Sequence, residues 1–140
     1  MKLAIATYSY WHFRDPKVFW HEPTQRWVMI LHCTEKGKKL PPIDPKDPKR
    51  KTGEFVFFTS PDLKQWKREG SVIGFAECPD LSPMKVEGTD KTEWIVHGGL
   101  GEYFIGDFDG REFERTSDLL HGPYGSAYYA GQNYSDMPDG

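Results

Sequence analysis

The hydrophobic residues of this chain fall in short bursts, rich in β-branched and aromatic types and separated by Gly, Pro and Asp. Bursts of this length and spacing predict many short β-strands. No stretch carries the apolar period of an amphipathic helix of three turns. The sequence therefore predicts an all-β fold. The predicted strands cover residues 17–20, 27–32, 54–59, 92–98, 102–107, 111–115 and 127–134.

Turn-forming residues connect these strands. His21-Glu22-Pro23-Thr24-Gln25-Arg26 predicts a turn, and Phe108-Asp109-Gly110 predicts a tight hairpin. Ser60-Pro61-Asp62-Leu63 predicts a loop or a single helical turn, and Gly98-Gly99-Leu100-Gly101 predicts a flexible connection. Antiparallel hairpins of this kind occur in sandwiches, barrels and propellers alike, so the pattern alone does not choose among these folds.

Residues 36–51 form the most basic stretch, with seven Lys/Arg and four prolines. We interpret this stretch as a solvated loop within the domain, because no aromatic residues alternate with the charges and because Asp44 and Asp47 dilute them. The whole chain has a formal charge of -3, which gives no global attraction to nucleic acid or to an acidic membrane. We therefore predict neither nucleic acid nor a membrane as a partner.

Composition narrows the picture only a little. The 140 residues suit one domain, and 15% aromatic residues beside 37% hydrophobic residues suit a β protein that stacks on sugar rings, or any aromatic β core. No apolar run reaches the roughly 18 residues of a membrane span, and residues 1–10 lack a convincing cleavage site for a signal peptide. We predict a soluble chain and leave its compartment open, a secreted or periplasmic protein included.

The spacing of the cysteines and histidines indicates neither a disulfide framework nor a metal site. Cys33 and Cys78 could form at most one disulfide. The histidines show neither HExxH nor another paired-ligand spacing, so we predict no metal site and no cofactor. They are His12, His21, His32, His97 and His121.

Two carboxylates stand beside prolines and are the strongest candidates for chemistry. Glu77 follows the apolar stretch of residues 72–75, so we expect its carboxyl to lie partly out of water. Burial favours the protonated form of a carboxyl, which is the form that a general acid needs. A surface glutamate before Pro79 fits the same residues. Asp15 could be ion-paired with Arg14 at a strand entry, or could grip sugar hydroxyls with Arg14 beside it. The local sequence leaves these alternatives open.

The order of four segments carries more information than either carboxylate. The segments are Phe13-Arg14-Asp15-Pro16-Lys17-Val18-Phe19-Trp20, Glu77-Cys78-Pro79-Asp80-Leu81, Tyr103-Phe104-Ile105-Gly106-Asp107-Phe108-Asp109-Gly110 and Tyr129-Ala130-Gly131-Gln132. Together these segments resemble glycoside hydrolase family 32, the family of invertases, levanases, inulinases and other β-fructosidases. The resemblance covers most of the chain and implies part of a five-bladed β-propeller catalytic domain with a funnel-shaped pocket.

The resemblance also implies roles for individual residues. Glu77 would be the general acid/base, and Cys78 would line the pocket beside it. Asp15 would stabilise the transition state by holding fructosyl hydroxyls, with Arg14 assisting. The substrate would be sucrose or a fructan such as levan or inulin, and the reaction would use no metal or cofactor.

One part of the family's site has no counterpart in this sequence. The retaining mechanism needs a carboxylate nucleophile roughly 5 Å from the acid/base. In the family this nucleophile lies in an Asn-Asp-Pro type motif ahead of Arg-Asp-Pro, whereas residues 1–13 contain no aspartate. We therefore expect residues 1–140 to be a partial catalytic domain of about two to three blades that is inactive alone. Its unpaired strand edges would favour self-association.

Other departures from the family's pattern bear on the pocket walls, and two rival functions stay open. Ala76 stands where the family commonly has tryptophan, and Pro123 where it often has aspartate. A non-catalytic paralogue that binds fructosides would fit the same segments. An inverting, arabinan-cleaving five-bladed hydrolase would place its carboxylates about 6.5–9.5 Å apart. The segment from Glu77 to Leu81 argues against this inverting enzyme.

Overall fold

The computed structural model describes residues 10–35, 37–43, 52–75, 77–122 and 128–134. Within these ranges its regular structure is β-strands and one short 3₁₀ turn, so the all-β prediction is confirmed. None of the described residues forms a helix long and apolar enough to cross a membrane. The strands are β1 (Tyr10–His21), β2 (Arg26–Glu35), β3 (Gly53–Ser60), β4 (Lys67–Gly74), β5 (Asp80–Lys85), β6 (Thr92–His97), β7 (Glu102–Phe108), β8 (Phe113–Arg115) and β9 (Leu120–His121).

Strands β1 to β4 form the first sheet, an antiparallel meander in chain order. The 3₁₀ turn at Glu22–Thr24 joins β1 to β2, and Gln25 completes the reversal with a positive φ of 50°. The predicted turn at residues 21–26 is therefore confirmed. Strand β3 is buried at every position. Its continuous apolar run, Phe55-Val56-Phe57-Phe58, is typical of a strand that is covered on both faces.

Strands β5 to β8 form the second sheet, again in chain order, and β9 also pairs with β7. The predicted hairpin between β7 and β8 is confirmed. The Asp109 carboxylate closes it by accepting hydrogen bonds from the amides of Arg111 and Glu112, both at 2.8 Å. These bonds, led by the one from Glu112, lower the pKa of Asp109.

The main core lies between the two sheets. Phe75, in the link from β4 to β5, lies at its centre, with ring centroids 5.8 Å from Phe55 and 5.4 Å from Phe104. A second cluster covers the opposite face of the first sheet, because side chains alternate along β2 and β3. The main core also holds Val28, Ile30, Ile43, Phe57, Leu81, Val96, Phe108 and Phe113, and the second cluster holds Met29, Leu31, Cys33, Val56 and Phe58.

The structure differs from the predicted strands in several places. It adds β4, β5 and β9, which the hydrophobic pattern did not indicate. The strand predicted at residues 127–134 is wrong: residues 128–134 contain no strand, and residue 127 lies outside the described residues. Hydrogen bonds from Ala130 N–H to Gly99 O (2.8 Å) and from Asn133 N–H to Asp80 Oδ2 (2.7 Å) hold this segment instead.

The described part of the basic stretch, residues 37–43, contains no strand, in agreement with a loop. Residues 36 and 44–51 of that prediction lie outside the described residues. Ile43 ends the described part, where it is buried in the main core. Its amide donates to Thr52 Oγ1 at 3.0 Å, which anchors the end of the loop beside the start of β3.

Candidate active site

A bulge in β1 sets the position of Asp15. The β1–β2 register slips between Arg14 and Lys17, so Asp15 and Pro16 together lie opposite Leu31. Pro16 has no N–H to donate to the ladder, and Asp15 has a positive φ of 56°. A non-glycine residue in this conformation costs free energy and persists only where the surrounding structure holds it.

Glu77 and Cys78 lie in the link between the sheets, just before β5. Cys78 also has a positive φ, 52°, and the Glu77 carbonyl accepts a hydrogen bond from Gly99 N–H at 3.0 Å. A Cβ atom on Gly99 would lie 3.4 Å from both Glu77 Cγ and Cys78 Cβ. The Gly98-Gly99-Leu100-Gly101 connection therefore packs against the link rather than only joining β6 to β7.

Arg14 joins the two candidate carboxylates. Its Nε lies 3.5 Å from Asp15 Oδ2, and its Nη2 lies 3.2 Å from Glu77 Oε2. The Cys78 amide donates to the same Asp15 oxygen at 3.0 Å. About a third of each carboxylate side chain stays exposed, 32% for Asp15 and 33% for Glu77, so a ligand could reach both. The structure thus brings together the four residues singled out in the sequence.

Tyr129 completes the surroundings of Glu77. Its hydroxyl donates to Glu77 Oε1 at 2.6 Å, and this bond raises the pKa of Tyr129 to about 12. The Glu77 carboxyl lies partly out of water, as expected, but its neighbours are a cation and a hydroxyl rather than apolar groups. Sequence reasoning gave Tyr129 no role, because only its place in the fourth family segment set it apart from the other tyrosines.

Cys78 forms part of the wall of this site. Burial, together with the nearby Asp15 and Glu77 carboxylates, raises the pKa of its thiol. Such a thiol is neutral and a weak nucleophile near neutral pH. Cys33 is also a free cysteine, and burial raises its pKa to about 12. Cys78 therefore shapes the site without offering an anion to it.

His32 lies beside the site, opposite Arg14 in the β1–β2 register. It is buried, and its Nε2 forms a hydrogen bond with Thr34 Oγ1 at 3.1 Å. Burial, followed by the charge of Arg14, lowers the pKa of His32. The imidazole is therefore neutral near neutral pH. In the described part of the chain, no group of three or more His, Cys, Asp or Glu side chains is placed to hold a metal ion.

These contacts give the two carboxylates different capacities. Glu77 has a hydroxyl on one oxygen and a guanidinium on the other, which orients a group that is able to exchange a proton. Asp15 is fixed by a backbone amide and Arg14, which suits a charged acceptor for hydroxyl groups.

Comparison with known proteins shows the family of this chain. Residues 3–140 match the family described as glycosyl hydrolases family 32, N-terminal domain. The chain belongs to this family. The resemblance stated from the four segments is therefore confirmed, and so is the fold: the two sheets are blades of the β-propeller of family 32.

Individual relatives agree with this assignment. The extracellular exo-inulinase of Meyerozyma guilliermondii is 34% identical over 145 residues, which cover 91% of this chain and 25% of that protein. The levanase of Bacillus subtilis is 34% identical over 147 residues, which cover 90% of this chain and 19% of the levanase. Among solved structures, fructofuranosidase from Schwanniomyces occidentalis complexed with fructose matches this chain with a TM-score of 0.68 and 29% sequence identity. The match covers 89% of this chain and 25% of that one. The chain spans about a quarter or less of the length of these relatives.

Proposed function

We propose that this chain supplies the acid/base and the transition-state clamp of a retaining β-fructosidase, which cleaves terminal β-fructofuranosyl units from sucrose or fructans. Residues 1–140 would then be part of its catalytic propeller domain. The observation that supports this most is the Arg14 guanidinium, which joins Glu77 to Asp15 in a member of family 32. Relatives named exo-inulinase and levanase favour a carbohydrate as the substrate.

Glu77 is the proposed acid/base. In the first step its carboxyl would protonate the glycosidic oxygen, and in the second step the carboxylate would take a proton from water. Tyr129 and Arg14 contact different oxygens of this carboxyl, so together they fix its orientation. Fixed orientation matters because a displacement of about 1 Å from the productive geometry can cost about 10²-fold in rate.

Asp15 is the proposed clamp. The Cys78 amide and Arg14 hold its carboxylate in place, and a carboxylate has about four lone-pair sites, so capacity remains for fructosyl hydroxyls. Cys78 and Arg14 would line the pocket beside it. Hydrogen bonds to sugar hydroxyls that strengthen in the transition state lower the barrier.

The covalent nucleophile is assigned to polypeptide outside these 140 residues. The mechanism places it about 5 Å from the acid/base. Asp15 is already engaged by Arg14 and the Cys78 amide, and residues 1–13 carry no carboxylate side chain. We expect the 140-residue chain alone to release no fructose from sucrose, inulin or levan. Release at rates typical of enzymes, about 1 s⁻¹ or more, would contradict this assignment.

Kinetics of the polypeptide encoded by the whole reading frame test the role of Glu77. We expect Glu77→Gln to lower the rate on sucrose by about 10²- to 10⁴-fold, because the leaving oxygen then receives no proton. An aryl β-fructofuranoside has a leaving group that needs no proton, so the formation of its fructosyl intermediate should be largely retained. Azide attacks that intermediate without a general base and should restore part of the turnover.

Glu87→Gln is the matched control, because Glu87 is exposed in the connection between β5 and β6. We expect this variant to keep wild-type rates on both substrates. If Glu77→Gln loses the same factor on sucrose and on the aryl fructoside, Glu77 is not the acid/base. If the wild-type polypeptide binds fructose but releases none from sucrose, the pocket belongs to a fructoside-binding protein.

Self-association of the chain stays a prediction. Among the described strands, β1, β4, β5, β8 and β9 each have a partner strand on one side only. Unpaired edges are templates for pairing with another chain. We expect light scattering of the isolated 140-residue chain to give a mass above that of the monomer. A monomer with a single cooperative melting transition would contradict this expectation.

A further inference from the structure

Asp80 is a fully buried carboxylate at the first position of β5. Its exposed fraction is 0%, so water does not solvate its charge. A buried carboxylate is costly unless a cation and hydrogen-bond donors compensate it. The identity of its partners therefore shows which parts of the chain this charge holds in place.

The partners of Asp80 come from both sides of the site. Lys17 Nζ, from β1, lies 3.5 Å from Asp80 Oδ2, and the Asn133 amide donates to the same oxygen at 2.7 Å. Lys17 Nζ also donates to Asn133 O at 2.6 Å, which closes a triangle of three residues. The Asn133 side chain donates to Ser82 Oγ at 2.7 Å and ties the segment to β5 a second time.

Each corner of the triangle lies close in sequence to a group of the candidate site. Lys17 follows Asp15 by two residues, and Asp80 follows Glu77 by three. Asn133 follows Tyr129 by four residues, in a segment that no strand pairing holds. Each residue of backbone spans at most about 3.6 Å, so two to four residues keep each functional group near its corner of the triangle. The distances inside the triangle therefore limit how far the three functional side chains can drift apart.

We infer that Asp80 is a positioning residue, whose buried carboxylate fixes the Asp15, Glu77 and Tyr129 segments relative to one another. The inference rests on the proposed function for its catalytic consequence, but the anchoring itself does not. Asp80 acts through Lys17 and Asn133, with no contact to substrate. Lys17 and the Asn133 amide share Oδ2 of Asp80, so the amide oxygen of Asp80→Asn can still accept from both. The variant instead removes the charge that compensates Lys17, and it buries an N–H₂ group in place of Oδ1, an atom with no hydrogen-bond partner among the described residues.

Glu54 provides a matched control. It is also buried, with a side-chain exposure of 2%, and it is compensated by Lys38 at 2.7 Å and by the Ser71 hydroxyl at 2.7 Å. Glu54 lies on β3, opposite Cys33 of the second cluster. Glu54→Gln therefore makes the same exchange of a buried carboxylate for an amide on β3, a strand that contributes no residue to the candidate site.

Amide hydrogen exchange in the 140-residue chain tests the anchoring without any catalytic activity. We expect Asp80→Asn to speed exchange at the Ala130 and Asn133 amides by about tenfold or more, because both amides depend on the position of this segment. Glu54→Gln should leave both rates at their wild-type values. Unchanged rates in Asp80→Asn would overturn the inference. If Asp80→Asn does not fold, Ser82→Ala decides, since it removes only the Asn133 side-chain contact and should speed exchange at Asn133.

Kinetics of the polypeptide encoded by the whole reading frame test the catalytic consequence. We expect Asp80→Asn to lower kcat/KM for sucrose by about tenfold to a hundredfold. The loss should be smaller on an aryl β-fructofuranoside, because misplacing Glu77 matters less when the leaving group needs no proton. Glu54→Gln should lower the melting temperature and leave the ratio between the two substrates unchanged. If both variants leave that ratio unchanged, Asp80 is structural only. Failure of the proposed function would appear separately, as a Glu77→Gln variant with no dependence on the leaving group.

Discussion

The two sheets share a plan but differ in burial. Each is an antiparallel meander in chain order, and the third strand of each runs through its middle. Strand β3 of the first sheet is buried at every position, whereas β7 of the second sheet alternates between buried and more exposed positions. The first sheet packs on both faces, against the main core and against the second cluster. Among the described residues, the second sheet packs through one face only, against the main core.

The sheets also meet the site in comparable ways. The first sheet departs from regular β geometry at Asp15, inside the bulge of β1, and the second does so at Cys78, just before β5. Both residues have positive φ values, 56° and 52°. In both cases the site lies where the backbone departs from regular strand pairing. The regular part of each sheet holds these two positions in place.

The largest expected effect is a difference in the loss of stability when one outward-facing side chain of each sheet is truncated. Leu31 of β2 is buried in the second cluster, on the outer face of the first sheet, whereas Ile105 of β7 is half-buried on the outer face of the second sheet. We expect Leu31→Ala to lower the free energy of unfolding by about 2–5 kcal/mol and Ile105→Ala by about 1 kcal/mol. Urea midpoints at constant m-value measure both losses. Equal losses in the free energy of unfolding would show that the outer faces of the two sheets contribute alike to stability.

A second prediction concerns two adjacent glycines of the second sheet. A Cβ atom on Gly98 would lie 2.2 Å from Phe75 Cβ, so Gly98→Ala forces the core to move and should cost about 1–3 kcal/mol of stability. A Cβ atom on Gly99 would lie 3.4 Å from Glu77 Cγ, an ordinary contact. Gly99→Ala should therefore be milder in thermal unfolding. A larger loss for Gly99→Ala would show that the link, and not the core, limits the packing of the sheets.

The pH dependence of stability should come more from the first sheet. Burial lowers the pKa of His32 below its usual 6.5, so the folded chain binds this proton less readily than the unfolded chain does. The contribution of neutral His32 to the free energy of unfolding is therefore complete above about pH 6.5. This contribution is lost as the pH falls through about 6.5 towards the lowered pKa. We expect His32→Gln to flatten the loss of stability between about pH 7.5 and 5.

The flattening should be partial, because burial also lowers the pKa of His21 in the same sheet. His121→Gln, at an exposed position of β9, is the control and should keep the wild-type slope. Urea unfolding at several pH values measures the slopes. An unchanged slope in His32→Gln would place the pH response outside this residue.

The smallest expected effect is a change in the reactivity of Cys78. Burial and the Asp15 carboxylate keep its pKa high, so Asp15→Asn should speed alkylation by iodoacetamide at about pH 8 by a few-fold. Cys33 is buried, with a pKa of about 12, and should stay unmodified in the folded chain. Mass spectrometry resolves the two sites. The exposed Asp90→Asn variant should react at the wild-type rate, and an equal rate for Asp15→Asn would show that its charge does not act on Cys78.

The sequence predicted those strands whose own residues demand burial. The apolar and aromatic runs of β2, β3 and β7 indicate strands in any context. Strand β4 begins Lys67-Arg68-Glu69 and carries no such signal; its pairing depends on β3, where the Thr59 hydroxyl donates to Glu69 at 2.8 Å. Strand β5 contains Pro83, which argues against a strand when the sequence is read alone.

The site was predictable only in part for a related reason. Local sequence identified Asp15 and Glu77 as candidates, and the ordered segments raised them above the other carboxylates. The contact between Tyr129 and Glu77 joins residues far apart in the chain, in a segment whose aromatic residues predicted a strand. Hydrogen bonds to Asp80 and Gly99 decide the course of that segment, and no local propensity encodes them.

Phe75 constrains how this family can vary. A Cβ atom on Gly53 would lie 2.0 Å from its carbonyl oxygen, and one on Gly98 would lie 2.2 Å from its Cβ, so each sheet presents a glycine to the same residue. A larger residue at either position requires a compensating change in Phe75 or in its backbone path. The three positions should therefore change together during evolution. We expect relatives to accept insertions in the exposed turn at residues 86–91, and to keep the length of the link at residues 74–80.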